Sequence, residues 1–305
     1  MATIVVTHGV PAEGFDLLQG HTVYIPAPLT AFSREELARL MPQADAVVAC
    51  GALDGALIRS AKRLKLIANY GSGYDAVDIV AAADCDVPVT NIPDITAEAT
   101  AELAIGLMLA VSRRIGEMNL RLRHEPSEAL FSMGREMGAT LRGKTLGVIG
   151  MGRIGSRVAE IARTLGMQVV GVTAESGSLE EVLRQADVLT LHCPLNDGTR
   201  GLINARTLAM MKPGSLLINT SRGPVVDCDA LADAIEKGLI AGAGLDVFPQ
   251  EPAIPQRLLG LKNVVLTPHI GTNTAETRRD MARACSQNIL DVLAGKRPPS
   301  IVNGL

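Results

Sequence analysis

Three segments of the chain place titratable side chains of three different types after short apolar runs. Arg222 and His269 each come within three residues of the end of such a run, and Glu251 lies in the proline-rich loop that follows a third. Each of these residues alone is typical of an ordinary surface or structural position. Carboxyl ends of parallel strands lie along one edge of a sheet, where α/β proteins bind ligands, so the three together indicate a candidate active site. The other histidines lack such neighbours, and we expect no catalytic role for the side chains of His8, His21, His124 and His192.

A glycine-rich turn, Gly-Met-Gly-Arg-Ile-Gly at 150–155, lies between an apolar run and a segment with helical periodicity. In this context Gly150 permits the tight turn, Gly152 lets backbone N–H groups approach phosphates, and Gly155 lets the helix pack on the strand. The N-terminus of the helix adds a partial positive charge. The pattern therefore predicts that the chain binds the pyrophosphate of a dinucleotide.

Composition limits the possible classes of protein. The chain has 305 residues, of which 47% are hydrophobic and 2% aromatic, so we expect about two domains whose cores consist of Val, Leu, Ile and Ala. The net charge of −3 gives no indication of nucleic acid or of an anionic membrane as a partner. Five scattered cysteines without a C-x-x-C motif predict free thiols in a reducing compartment and no metal site. The chain starts directly with a strand pattern, and its longest apolar stretch, 103–111, is too short to span a bilayer, so we expect a soluble cytoplasmic protein.

Apolar runs alternate with helical segments, which predicts parallel sheets in an α/β fold. Strands are predicted at 3–7, 22–25, 46–49, 66–68, 87–90, 145–149, 168–172, 188–191, 215–219, 241–245 and 264–266. Helices are predicted at 12–19, 33–40, 54–60, 78–83, 178–185 and 275–293, with a long helix from Thr96 to about Arg123. The segment 127–142 has no clear period and is predicted to be a connector. Ser33 and Glu36 have the spacing of a capping box at a helix start.

Taken in order and spacing, several motifs resemble those of the D-isomer-specific 2-hydroxyacid dehydrogenases. They are the segments 65–75, 96–98, 150–155, 219–227, 246–252 and 267–271. The resemblance extends over nearly the whole chain. It implies a doubly wound Rossmann domain at 98–274 that binds the dinucleotide, and a smaller, flavodoxin-like substrate domain formed by 1–97 and 275–305. Periodicity alone would have suggested two consecutive domains, so this split arrangement is implied by the family.

The resemblance also implies catalytic roles. Arg222 would bind the substrate carboxylate and polarise the carbonyl group through its planar, permanently charged guanidinium. His269 would donate a proton to the carbonyl oxygen as hydride arrives, and would accept it back in oxidation. Glu251 would hydrogen-bond His269 and favour its protonated form. The backbone N–H groups of Ser72 and Gly73 would contact the carboxylate from the other domain, and closure of the cleft would exclude water.

A nicotinamide cofactor, NADP or NAD, is implied in the same way. The residues that would hold it are Thr96, Gly150, Gly152, Arg153, Ile154, Gly155, Thr173, Cys193, Pro194, Thr220, Arg222, Asp246, His269 and Gly271. NAD-specific members carry an acidic residue where this chain has Thr173, so a 2′-phosphate is not repelled here. The segment 174–178 has no Arg or Lys to bind that phosphate, and only Arg153 is close in sequence. We expect a preference for NADP and an open adenosine pocket, because the segment after Thr173 is shorter than in the family.

The favoured activity is reduction of a small 2-oxo acid, glyoxylate or hydroxypyruvate. A D-3-phosphoglycerate or D-lactate type of dehydrogenase remains an alternative. A nucleotide-sensing binding protein similar to the family's transcriptional corepressors is an alternative of another class. The long apolar helix and the segment 127–142 suggest a homodimer through the nucleotide domains, unless that helix is simply buried between domains.

Overall fold

The computed structural model describes residues 1–126, 130–131 and 133–305, so part of the predicted connector, at 127–129 and 132, lies outside the described residues. The chain divides into two compact units. Unit 1 consists of Met1–Thr96 and Thr272–Leu305, and unit 2 of Ala97–Gly271. Within the described part of the chain, no helix combines the length and apolar character needed to cross a membrane.

Unit 1 contains one parallel sheet with helices packed on it. Its strands are β1 (Thr3–Val6), β2 (Thr22–Tyr24), β3 (Ala46–Ala49), β4 (Leu66–Asn69) and β5 (Val89–Thr90), and its helices are α1 (Arg34–Leu40), α2 (Gly55–Ser60), α3 (Ile79–Asp84) and α11 (Ala275–Leu293). The strand order is β2-β1-β3-β4-β5, which is the flavodoxin-like order. The three central strands β1, β3 and β4 are almost wholly buried, as their apolar sequences require when helices cover both faces.

Local signals explain most helix boundaries in unit 1. Ser33 and Glu36 form the predicted capping box, in which each side chain accepts a hydrogen bond from the other residue's backbone N–H. Asp54 and Asp78 are the N-caps of α2 and α3, and their side chains accept hydrogen bonds from backbone N–H groups of the first turn. The helix predicted at 12–19 is wrong: only a short 3₁₀ turn, Phe15–Leu18, forms there. Gly14 has a φ of 99°, in the left-handed region, which interrupts a regular helix at that point.

Unit 2 contains a second parallel sheet, doubly wound, in the order β11-β10-β9-β8-β6-β7. Its strands are β6 (Thr145–Ile149), β7 (Gln168–Val172), β8 (Val188–Leu191), β9 (Leu216–Asn219), β10 (Gly242–Leu245) and β11 (Val264–Leu266). Its helices are α4 (Ala97–Ser112), α5 (Ile115–His124), α6 (Arg153–Thr164), α7 (Leu179–Gln185), α8 (Ala205–Leu208), α9 (Cys228–Glu236) and α10 (Gln256–Leu259). The predicted α/β class is confirmed in both units. The chain passes from β7 directly to α7, which leaves β7 at the edge of the sheet.

The long helix predicted from Thr96 to Arg123 is in fact two helices. α4 ends at Ser112, whose carbonyl oxygen accepts a hydrogen bond from Ala139 N–H at 2.8 Å instead of continuing the helix. Arg114 then adopts a left-handed φ of 56°, and its guanidinium forms ion pairs with Glu117 and Glu136. α4 is apolar over most of its surface because it packs on the sheet and on α6.

In each unit, an aspartate just before a neighbouring strand hydrogen-bonds to the first residue of the strand that comes first in sequence. Asp45, just before β3, accepts a hydrogen bond from Thr3 N–H and pairs with Arg63. Asp187, just before β8, accepts from Thr145 N–H and pairs with Lys212. Burial alone would raise the pKa of each carboxyl group, but these hydrogen bonds and cations together lower it. The two carboxylates therefore stay charged at neutral pH and fix the register of the central strands.

Candidate active site

The three titratable residues follow β9, β10 and β11, which are neighbouring strands of unit 2. Nδ1 of His269 lies 2.7 Å from Oε2 of Glu251, and Oε1 of Glu251 accepts a hydrogen bond from Phe248 N–H at 2.9 Å. Half of the His269 side chain remains exposed. The imidazole is therefore held at one nitrogen and accessible elsewhere, which suits a group that exchanges protons with a ligand.

The turn that carries His269 is held by a buried carboxylate. His269 has a φ of 53°, an unusual value for a residue with a side chain. Asp246 accepts hydrogen bonds from Ile270 N–H at 2.8 Å, Gly271 N–H at 2.9 Å and Thr267 Oγ1 at 2.7 Å. Burial raises the pKa of Asp246 despite these donors. Asp246 and Gly271, for which the resemblance implies a cofactor contact, are therefore bonded to each other within unit 2 and shape the histidine turn; the cofactor contact stays a prediction.

Arg222 lies in a tight turn whose backbone is fixed by neighbouring polar groups. Nδ2 of Asn219 donates to the Arg222 carbonyl oxygen, and Oδ1 of Asn219 accepts from Ser221 N–H. Gly223 packs so closely that an added Cβ would lie 1.9 Å from the carbonyl carbon of Phe248. The strand end that carries Arg222 therefore packs against the loop that leads to Glu251.

The glycine turn fits a dinucleotide pyrophosphate. Gly150 has a φ of 95°, and a Cβ there would lie 2.6 Å from the Cys193 nitrogen, while a Cβ on Gly155 would lie 2.0 Å from the Gly150 oxygen. Around Gly152, by contrast, no described atom beyond the adjoining residues lies within 4 Å of an added Cβ. Gly152 is also the N-cap of α6, and no side chain among the described residues caps that helix. Because no described side chain caps the first turn of α6, which begins at Arg153 and Ile154, the N-terminus of this helix favours an anion.

His192, beside the glycine turn, connects the ends of β8 and β9 through its side chain. We expect no catalytic role for it. Nε2 of His192 lies 2.9 Å from Thr190 Oγ1, and its Nδ1 lies 3.4 Å from Thr220 Oγ1. Burial lowers the pKa of His192 to about 3, so the ring is neutral. Its backbone also contacts the position of an added Cβ on Gly150. The sequence does not indicate this role, because a histidine two residues after a strand threonine is a common pattern.

Cys193 and Pro194, which follow His192 in the chain, are buried or hydrogen-bonded within unit 2. Cys193 is buried, and burial raises the pKa of its thiol to about 11. Pro194 accepts a hydrogen bond from Thr199 Oγ1 through its carbonyl oxygen. In unit 1, Thr96 is buried and donates from Oγ1 to the Pro93 carbonyl oxygen.

Thr173, at the end of β7, closes a small turn on itself. Its Oγ1 accepts hydrogen bonds from Glu175 N–H and Ser176 N–H and lies 2.9 Å from Ser176 Oγ. Gly177 then follows with a φ of 87°, and the chain enters α7 two residues later. This exposed turn occupies the place where the resemblance put a ribose contact.

Ser72 and Gly73 lie in the loop after β4 of unit 1, and both are half-buried. Over residues 1–126, 130–131 and 133–305, no group of three or more His, Cys, Asp or Glu side chains is placed to hold a metal ion.

Comparisons with known proteins independently support the resemblance to the D-isomer-specific 2-hydroxyacid dehydrogenases. The family model of the D-isomer specific 2-hydroxyacid dehydrogenase, NAD binding domain, matches residues 105–271. A glyoxylate reductase from Thermococcus litoralis is 38% identical over a 318-residue alignment that covers 98% of this chain and 96% of that protein. A glyoxylate reductase from Aeropyrum pernix is 42% identical over 267 residues, which cover 82% of this chain and 80% of that protein.

A solved structure agrees with these sequence matches. It is that of an NADPH-dependent glyoxylate/hydroxypyruvate reductase from Sinorhizobium meliloti in complex with NADP and malonate, which is similar to this chain with a TM-score of 0.87 and 29% identity. The comparison covers 99% of this chain and 96% of that one. The chain belongs to the D-isomer-specific 2-hydroxyacid dehydrogenase family. It is therefore an NAD(P)-dependent oxidoreductase that acts on small 2-oxo and 2-hydroxy acids.

Proposed function

We propose that this protein reduces glyoxylate or hydroxypyruvate to the corresponding 2-hydroxy acid. The observation that carries the proposal is the 2.7 Å contact between His269 and Glu251 at adjacent strand ends of the unit that matches the NAD-binding family. The choice of substrate is supported by relatives that are named glyoxylate reductases.

Reduction adds a hydride to the carbonyl carbon and a proton to the carbonyl oxygen. When bound, the nicotinamide ring supplies the hydride. We assign the proton to His269: because Nδ1 faces Glu251, Nε2 is the nitrogen that donates to the carbonyl oxygen. The Glu251 carboxylate stabilises the charged imidazolium before the transfer, and in oxidation His269 accepts the proton back.

The substrate carboxylate is assigned to two groups of donors. Arg222 offers a charged, planar pair of N–H groups that matches a carboxylate and also polarises the adjacent carbonyl. The backbone N–H groups of Ser72 and Gly73 are assigned to the same carboxylate. Unit 2 therefore carries the nucleotide-binding role and also, through Arg222 and His269, part of the substrate-binding role.

The cofactor preference is proposed to be NADP. Thr173 carries no charge that would repel a 2′-phosphate, and its hydroxyl group is already used within its own turn. Catalytic efficiencies measured with NADPH and NADH test this proposal; a preference of about a hundredfold for NADH would contradict it.

A kinetic panel tests the activity itself. The wild-type protein is offered glyoxylate, hydroxypyruvate, pyruvate and 3-phosphohydroxypyruvate with each cofactor, and the first two are expected to give the highest kcat/KM. His269→Ala and Arg222→Ala are expected to abolish turnover while nucleotide binding, measured as the fluorescence-derived Kd of NADPH, stays largely intact. Tight nucleotide binding without reduction of any 2-oxo acid would instead support the alternative role as a nucleotide-sensing binding protein.

We also propose a homodimer formed through unit 2, in a reducing cytoplasm. Large apolar side chains are exposed along α5 and the segment that follows it, namely Ile115, Leu120, Leu122, Phe131, Met133 and Met137. Exposed large apolar side chains in such number are typical of a protein interface. The five cysteines are all free, which supports a reducing compartment.

A further inference from the structure

The loop after β4 has its carbonyl groups fixed by two asparagine side chains. Nδ2 of Asn69 donates to the carbonyl oxygens of Gly71 at 3.0 Å and Gly73 at 2.9 Å. Nδ2 of Asn91 donates to the carbonyl oxygen of Ser72 at 2.8 Å. Three consecutive carbonyl oxygens are therefore held by amide donors of the same unit.

Fixing these carbonyls also fixes the direction of the N–H groups. In a trans peptide the C=O of one residue and the N–H of the next point in opposite directions. The Gly71 carbonyl thus sets the direction of Ser72 N–H, and the Ser72 carbonyl sets that of Gly73 N–H. Among the described residues, neither of these two N–H groups donates to a protein acceptor. Both point away from the asparagines and remain available to a ligand.

The two asparagines owe their positions to the sheet. β4 and β5 pair in parallel register, with Ile67 opposite Val89 and Ala68 opposite Thr90. Asn69 is the last residue of β4 and Asn91 directly follows β5, so they stand at matching carboxyl ends. Ile92 N–H adds a third fixed donor, to the Gly71 oxygen at 3.1 Å.

We propose that Asn69 and Asn91 are positioning residues that orient the N–H groups of Ser72 and Gly73 to receive the carboxylate of a 2-oxo acid. This inference rests on the proposed function. An amide suits the task because it donates to carbonyl oxygens without adding a charge, whereas an aspartate would place a negative charge beside the bound anion. Donors that are already oriented lose no reorganisation free energy when the anion binds.

The test compares three variants with the wild-type protein. Asn91→Ala removes the side-chain donor to the Ser72 carbonyl, Asn91→Asp keeps the size of the side chain without that donor, and Asn69→Ala removes the side-chain donor to the Gly71 and Gly73 carbonyls. The KM for glyoxylate and the Kd of oxamate, an unreactive carboxylate analogue, are expected to rise about tenfold in each, because one oriented hydrogen bond to a charged group is lost. The kcat is expected to change less than threefold, and the Kd of NADPH not at all.

Asn303→Ala is the matched control. Nδ2 of Asn303 also donates to a carbonyl oxygen, that of Val87, and its Oδ1 accepts from the N–H of Val89 at the start of β5, at the strand end opposite to the loop. This variant loses hydrogen bonds of the same type within the same unit, so thermal unfolding of all four variants separates stability from binding. We expect Asn303→Ala to retain the wild-type KM and oxamate Kd.

The outcomes separate the inference from the proposed function. If the wild-type protein binds oxamate and Asn91→Asp binds it equally well, the inference is overturned while the proposed function stands. If the wild-type protein neither binds oxamate nor reduces a 2-oxo acid, both are overturned. Asn69 is buried, so its variant is interpreted only if thermal unfolding shows that it folds. Asn91 is half-buried, and the two Asn91 variants are sufficient to test the inference.

Discussion

Each oxygen of the Glu251 carboxylate has its own partner, and the two contacts have different consequences. Oε1 accepts from Phe248 N–H and holds the loop, while Oε2 contacts the imidazole of His269. A substitution that keeps the first contact and changes the second therefore isolates the chemical role of the carboxylate from its structural one.

Glu251→Gln makes that separation. The side-chain carbonyl oxygen still accepts from Phe248 N–H, but the amide cannot compensate the charge of a protonated His269. We expect kcat to fall about a hundredfold while the Kd of NADPH stays unchanged. Glu236→Gln, which breaks an exposed ion pair with Arg257, serves as the control and is expected to keep full activity. Wild-type kcat in Glu251→Gln would remove Glu251 from the catalytic assignment.

His192 gives a prediction about pH and stability. Burial lowers its pKa in the folded protein from 6.5 to about 3. As the pH falls through this range, the unfolded chain takes up a proton that the folded chain does not. The free energy of unfolding therefore decreases as the pH falls below the unfolded pKa, by up to about 1.4 kcal/mol per pH unit.

His192→Gln removes this dependence. Urea unfolding between about pH 7 and pH 4 is expected to show a shallower loss of stability in the variant than in the wild-type protein. His124→Gln, at an exposed position of α5, is the control and is expected to keep the wild-type slope. Equal slopes for His192→Gln and the wild-type protein would contradict the assignment of a neutral, buried ring.

At the scale of elements, the glycine turn combines two different requirements. Gly150 and Gly155 have no room for a side chain, whereas Gly152 has an ordinary φ of −76° and open space around it. We expect Gly150→Ala to destabilise the fold by more than about 2 kcal/mol and Gly152→Ala by less than about 0.5 kcal/mol. Both are expected to weaken NADPH binding at least tenfold. Chemical denaturation and nucleotide titration measure the two effects; a Gly152→Ala variant that binds normally would contradict the role of this glycine.

The sequence predicts elements well where the signal is local. All eleven strands of the described chain lie where apolar runs predicted them, and the capping box at Ser33 is present. The break between α4 and α5 was missed, because it depends on Ala139 N–H contacting Ser112, twenty-seven residues earlier. The bonds around Asp246 and His192 were likewise missed, since they join strands that are distant in sequence. Helical and strand periodicity reflects residues that are close together in sequence. Contacts between segments that are distant in sequence produce no periodic pattern.

At the scale of the whole molecule, the exposed apolar side chains of unit 2 bear on the oligomeric state. Phe131 and Met133 are almost fully exposed, although burial of such side chains stabilises a protein by about 1.5–3 kcal/mol each. We expect Phe131→Ser combined with Met133→Ser to convert a dimer into a monomer, as measured by light scattering. Leu29→Ser, which changes a fully exposed leucine of unit 1, is the control and is expected to leave the dimer intact. A wild-type protein that is monomeric at all concentrations would contradict the proposed dimer.

The open space around Gly152 also bears on how the cell treats variants of this protein. Chaperones and proteases recognise chains that unfold, so they remove a protein in proportion to its lost stability. A change at Gly150 exposes the chain to that removal, whereas a change at Gly152 leaves a well-folded protein that escapes it. Such a protein would accumulate at normal abundance without binding its nucleotide, and, if the protein forms dimers, it would still pair with intact copies and occupy half of each mixed assembly.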